Sequence, residues 1–97
     1  MSFPSAGQDM PLDARRRRLK FRCWHRGIKE MDLIMGHFAD RHVDAMSEEE
    51  LGELEQLLEE PDTTLYYWIS GRQEVPADKG SDLLRKIMAL DFMPQSQ

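Results

Sequence analysis

Apolar residues recur at helical spacing in five short runs, and Gly or Pro interrupts the chain between most of them. That punctuation most constrains the fold. Each run is too short to be a stable helix alone, so each must bury its apolar stripe against the others. No window shows sustained period-two alternation with β-branched residues, so sheets are excluded. The 97 residues allow one small core. The reading is all-α: a compact single-domain bundle of five short helices over 12–92. It is preceded by a flexible tail over 1–11 and followed by a frayed end over 93–97.

The helices read as follows. From Leu12 the chain is helical, with Leu19 and Cys23 on the apolar face, arginines on the others, and Gly27 as the breaker. A second helix runs from about Ile28 to Arg41. Its broad stripe includes Met31, Ile34, Met35 and Phe38, which suits a central helix, and Gly36 permits close approach. Ser47-Glu48-Glu49-Glu50 predicts a capping box, after which Leu51, Leu54, Leu57 and Leu58 form one stripe ending near Glu60, before Pro61. Asp62 or Thr63 caps a fourth helix carrying Leu65-Tyr66-Tyr67-Trp68-Ile69, with Gly71 as its stop. Leu65 and Trp68 face the core, and Tyr66 or Tyr67 faces out. Pro76 opens a fifth helix over about Ala77 to Leu90, with Leu83, Leu84, Ile87 and Met88 inward.

Charge is segregated along the chain. Residues 14–29 carry +8 and residues 30–62 carry −11, within a net of −5. Either the two halves attract one another, or one of them is a docking surface. A small nucleic-acid or regulatory-protein binding module using Arg15 to Arg22, with Phe21 and Trp24 available for stacking, is the alternative function. The acidic total argues against nucleic acid as the partner.

Catalytic and metal chemistry find little support. His25, His37 and His42 do not share ligand spacing, so no metal is expected. Cys23 is a lone small residue on an apolar stripe, which suits a core position better than a nucleophile. No nucleophile elbow or Gly-rich phosphate loop occurs, so no catalytic site and no stably bound cofactor are expected. No stretch reaches the ~20 apolar residues of a membrane span, so no membrane insertion is expected.

Arg26-Gly27-Ile28-Lys29-Glu30 stands out, because helix physics alone would not choose it. Arg26 and Glu30 are spaced to share a helix face in the less favourable order, and Gly27 weakens the helix. The segment makes sense where another backbone must come close to Gly27 with both charges at hand. Otherwise it is an ordinary helix junction with an ion pair.

Trp24-His25-Arg26-Gly27-Ile28-Lys29-Glu30-Met31-Asp32 resembles the Arg-Gly-x-x-Glu segment of the succinate dehydrogenase flavinylation factors. Leu57-Leu58-Glu59-Glu60-Pro61-Asp62 with Leu65-Tyr66-Tyr67-Trp68, and then Val75-Pro76-Ala77, match two further family regions in the same order. The resemblance spans about Leu19 to Leu90. It implies an assembly factor that binds the flavoprotein subunit of succinate dehydrogenase, or fumarate reductase, and promotes covalent attachment of FAD. In that picture the FAD belongs to the partner, and the bond forms inside the partner. The factor holds the partner so that flavin and acceptor histidine are aligned. The family motif maps onto Arg26, Gly27 and Glu30, and Trp24, His25 and Asp32 complete the expected partner-binding set. Where many members carry further Arg, this chain has Trp24 and His25. The absence of an Arg/Ser-rich, acid-poor leader points to a bacterial cytoplasm.

Overall fold

In the computed structural model, which describes residues 11–94, five α-helices follow in order: α1 (Leu12–Trp24), α2 (Lys29–His42), α3 (Glu48–Leu57), α4 (Asp62–Ile69) and α5 (Asp82–Ala89). A 3-10 turn over Val43–Ala45 links α2 to α3. No strand occurs among the described residues. The all-α, five-helix reading therefore stands. Of the expected tail and frayed end, residues 1–10 and 95–97 lie outside the described residues. Pro11 is the N-cap of α1, and its carbonyl accepts from Arg15 N–H at 2.9 Å. Met93 is half-buried against the core.

α1 and α2 form the most extensive helix pair, joined by the four residues His25 to Ile28. α2 buries Met31, Met35, Gly36, Phe38 and Ala39 and contacts α1, α4 and α5. It is the central helix its broad stripe predicts. Its acids, Glu30 and Asp32, lie in the first turn, and Arg41 lies in the last, both favourable to the helix dipole. One core takes side chains from every helix and ends on Phe92, whose ring meets Phe38 edge-on at 5.3 Å.

The capping box at α3 forms in full. Ser47 Oγ accepts from Glu50 N–H at 3.2 Å, and Glu50 Oε1 accepts from Ser47 N–H at 2.9 Å. Hydrogen bonds from Ser47, above all from its backbone N–H, hold the exposed Glu50 carboxyl below its usual range. Gly71, at φ +78°, stops α4 as its sequence position predicts.

Three boundaries differ from the sequence reading. α3 ends at Leu57, and Glu59 and Glu60 close the turn with i→i−3 bonds, which tighten a last turn before Pro61. Pro61, not Asp62 or Thr63, occupies the N-cap position of α4, which leaves the Asp62 carboxylate free for another partner. α5 starts at Asp82 rather than Ala77, because Ser81 Oγ accepts from Leu84 N–H at 3.0 Å. A hydroxyl that satisfies an orphan N–H is a better start than Pro76, which instead opens a turn closed by Lys79 N–H.

Candidate functional site

The link between α1 and α2 is built around one glycine. Gly27 adopts φ +117°, a conformation that side chains other than glycine resist. Space does not demand the glycine, since an added Cβ would make only ordinary contact with Asp62 Oδ2 at 3.5 Å. The backbone demands it. Asp32, one turn into α2, reaches back: its Oδ1 accepts from Arg26 N–H at 2.5 Å and from Gly27 N–H at 3.2 Å. The link is therefore held from the side of α2 by one carboxylate.

Arg26 holds it from the other side. Its side chain is only 10% exposed. Nε donates to Asp62 Oδ1 at 2.6 Å, Nη1 to the Leu58 carbonyl at 2.6 Å and Nη2 to the Glu60 carbonyl at 2.7 Å. Those carbonyls lie just past α3, where helical partners run out. One planar guanidinium thus closes the end of α3 and pairs with the first residue of α4. This corrects the sequence reading. Arg26 and Glu30 do not share a helix face, because Gly27 breaks the helix between them. The Arg26 charge is used inside the molecule rather than offered outward.

The other expected residues divide in the same way. The Trp24 ring lies on Gly36, where a Cβ would sit 2.2 Å from it. Its Nε1–H donates to Asp40 Oδ1 at 3.2 Å, and the His37 ring meets it edge-on at 5.0 Å. Gly36 does permit a close approach, and the indole is what approaches. His25 is exposed; its Nδ1–H donates to the Phe21 carbonyl at 2.8 Å. Glu30 is exposed in the first turn of α2 and makes no ion pair with the described residues. Arg26, Asp32 and Trp24 therefore shape the link, and His25, Gly27 and Glu30 face solvent. Sequence reasoning missed Asp62 as part of this junction. It treated that residue as a cap, and its partner lies 36 positions away.

The basic arm is mostly engaged internally. Arg15, read as lying off the apolar face, is 6% exposed on the same stripe as Leu19 and Cys23. It forks onto Glu55 at 2.7 and 3.0 Å, and that hydrogen bond raises its pKa. Arg16 donates to the carbonyls of Val43 and Met46, Lys20 pairs with Asp44 at 2.8 Å, and Arg22 pairs with Glu59 at 2.9 Å. The two charged halves attract one another. A nucleic-acid module using Arg15 to Arg22 loses most of its cations to these bonds.

Cys23 is fully buried, and burial pushes its thiol up to about 12, so it is a core residue and no nucleophile at neutral pH. No group of three or more His, Cys, Asp or Glu with metal-binding geometry occurs among the described residues. In α4, Leu65, Trp68 and Ile69 are buried, Tyr66 is half-buried, and Tyr67 is exposed with the Arg72 guanidinium 5.9 Å from its ring. No helix among the described residues is long and apolar enough to cross a membrane.

Cavities also lie among the described residues. One, about 240 Å³, lies where α2, α3 and α5 meet and is lined by His42, Met46, Glu50, Glu53, Asp82 and Lys86 among others. A more open groove of about 650 Å³ runs between α3 and the turn before α5, with Glu49, Glu53, Glu60, Asp78 and Asp82 set against Lys79. Carboxylates outnumber lysine and arginine in both linings, a poor match to the anionic pyrophosphate of FAD.

Comparison with known proteins places this architecture. Residues 17–91 match the family model described as flavinator of succinate dehydrogenase. The chain is 46% identical to the FAD assembly factor SdhE of Acetobacter pasteurianus over 77 residues, covering 79% of this chain and 71% of that protein. It is 42% identical over 64 residues to the mitochondrial succinate dehydrogenase assembly factor 2 of Debaryomyces hansenii, covering 66% of this chain and 45% of the relative. The corresponding protein of Saccharomyces cerevisiae is 47% identical over 58 residues, covering 60% of this chain and 36% of the relative. With the family model covering the helical core from α1 through α5, the chain belongs to the flavinator of succinate dehydrogenase family.

Proposed function

We propose that this protein binds the unassembled flavoprotein subunit of succinate dehydrogenase and promotes covalent attachment of that subunit's FAD. Fumarate reductase is a second partner of the same kind, and the bacterial cytoplasm is the site of action. The protein contributes no catalytic group. It shifts the flavoprotein toward a conformation in which flavin and acceptor histidine are aligned, which requires only that it bind that conformation more tightly. The observation that carries this reading is the link itself. A glycine backbone at φ +117° and an exposed Glu30 are presented on a segment fixed from within by Arg26 and Asp32. A rigid, locally uncluttered segment binds with little ordering cost. Glu30 supplies a charged contact, Gly27 admits the partner's backbone, and His25 flanks them. Arg26, Asp32 and Trp24 act through the shape they impose.

Co-expression with the flavoprotein subunit tests this, reading covalent flavin by in-gel fluorescence after denaturation. Fluorescence that requires the wild-type protein and falls with Glu30→Ala supports the reading. Equal flavinylation with and without the protein overturns it.

A further inference from the structure

The α1 outer face carries a second feature that folding does not use. Phe21 is the most exposed large hydrophobic residue described, at 63%. Single exposed apolar side chains are common on soluble proteins. Phe21 differs in two respects. Its ring is stacked on His25, with centroids 4.0 Å apart and planes 19° from parallel, while His25 is itself tied to the Phe21 carbonyl. The aromatic is thus held in place by a residue of the link. Second, the cations left over from folding flank it. Arg15, Arg16, Lys20 and Arg22 are engaged with other elements. Arg18, one turn before Phe21, makes no ion pair with the described residues, and Arg17 makes only a 3.8 Å surface pair with Asp13. Arg17 and Arg18 lie four and three positions before Phe21, and His25 lies four after it, so both arginines flank a stripe that runs into the link. On a chain of net charge −5, this is a cationic, aromatic stripe.

A stable interface covers roughly 800 Å² of each partner, with about 20–30 residues a side. The exposed residues of the link cannot supply that, so a partner seated there must extend along a neighbouring face. The stripe is continuous with the link through His25 and offers a pre-placed aromatic ring, the kind of side chain that dominates interface energetics. We infer that Phe21 is an anchor of the flavoprotein interface, entering an apolar pocket rimmed by carboxylates that meet Arg17 and Arg18. This rests on the function proposed above.

Binding of the full chain to the purified succinate dehydrogenase flavoprotein subunit, by calorimetry across a salt series, tests it. The variants are Phe21→Ala and the double change Arg17→Glu with Arg18→Glu, with folding checked by circular dichroism. Phe21→Ala should weaken binding at least about tenfold with an unchanged melting temperature. The double change should weaken it and flatten its salt dependence. Wild-type binding that survives both changes within about twofold overturns the inference and leaves the function standing. No wild-type binding to the subunit overturns both. If Phe21→Ala instead abolishes association with anionic phospholipid vesicles, or self-association in sedimentation, with flavoprotein binding intact, the stripe belongs to a membrane surface or a second copy and the inference fails.

Discussion

Replacing Arg26 by Ala separates the two roles an arginine at this position can have. If the guanidinium faced the partner, its loss would spare the fold. In the structure it makes three charge-assisted hydrogen bonds from a side chain 10% exposed, to Asp62 and to the carbonyls of Leu58 and Glu60. Each such bond is worth about 1.5–3 kcal/mol in isolation, but the three share one side chain and are not additive. The carbonyls can recover water once the arginine is gone, and Asp62 is already 21% exposed. The expected net loss is therefore about 3 kcal/mol, at the low end of breaking a buried pair. For a domain this size, that lowers the melting temperature by roughly 12–24 °C. Asp62→Asn should cost less, about 1 kcal/mol, because Arg26 keeps its carbonyls. The double variant should fall short of the sum, since both changes remove the same bond. Thermal denaturation followed by circular dichroism measures all four corners of this cycle. Arg26→Ala melting within about 3 °C of wild type, a loss well under 1 kcal/mol, would refute the internal role and return the charge to the partner surface.

Three further outcomes follow from the same structure. Gly36→Ala drives a methyl into the Trp24 indole, which must swing outward; a loss of about 2–3 kcal/mol and a red-shifted tryptophan emission are expected. An unchanged spectrum would show that the two do not touch. His42, beside Phe38 and facing Lys86, Arg41 and Asp91, titrates below its ordinary 6.5, chiefly because burial disfavours its charged form and then because of Lys86 and Arg41. Its folded pKa is depressed, so the folded state binds that proton less readily than the unfolded chain. The stability tied to neutral His42 is complete above pH 6.5 and declines as pH falls through the folded value. Urea midpoints at pH 7.5 and pH 5.5 should drop less in His42→Gln than in wild type; equal drops would exclude it as the source. Cys23, buried with its thiol pushed up to about 12, should react with a thiol reagent only as fast as the protein opens, and rapid labelling of the native protein would contradict its placement.

The sequence alone determined what depends on neighbours along the chain. The helical stripes, the Ser47–Glu50 capping box, the stop at Gly71 and the break at Gly27 rest on bonds or dihedral angles that span at most a few residues, so spacing reveals them. The Arg-Gly-x-x-Glu resemblance likewise required only order and identity. Tertiary structure decided which charges face inward. Arg15 finds Glu55 forty positions away, and Arg26 finds Asp62 thirty-six away. No local period records such pairs, and a residue's charge does not say which side of the helix it will occupy. The same limit applies to Trp24 on Gly36. Gly36 announced room for something, but only the packing of α1 on α2 fixed the indole as its occupant. Solvent-facing residues of the link are thus defined by what the rest of the fold does not use, and that is settled only when all five helices have found their partners.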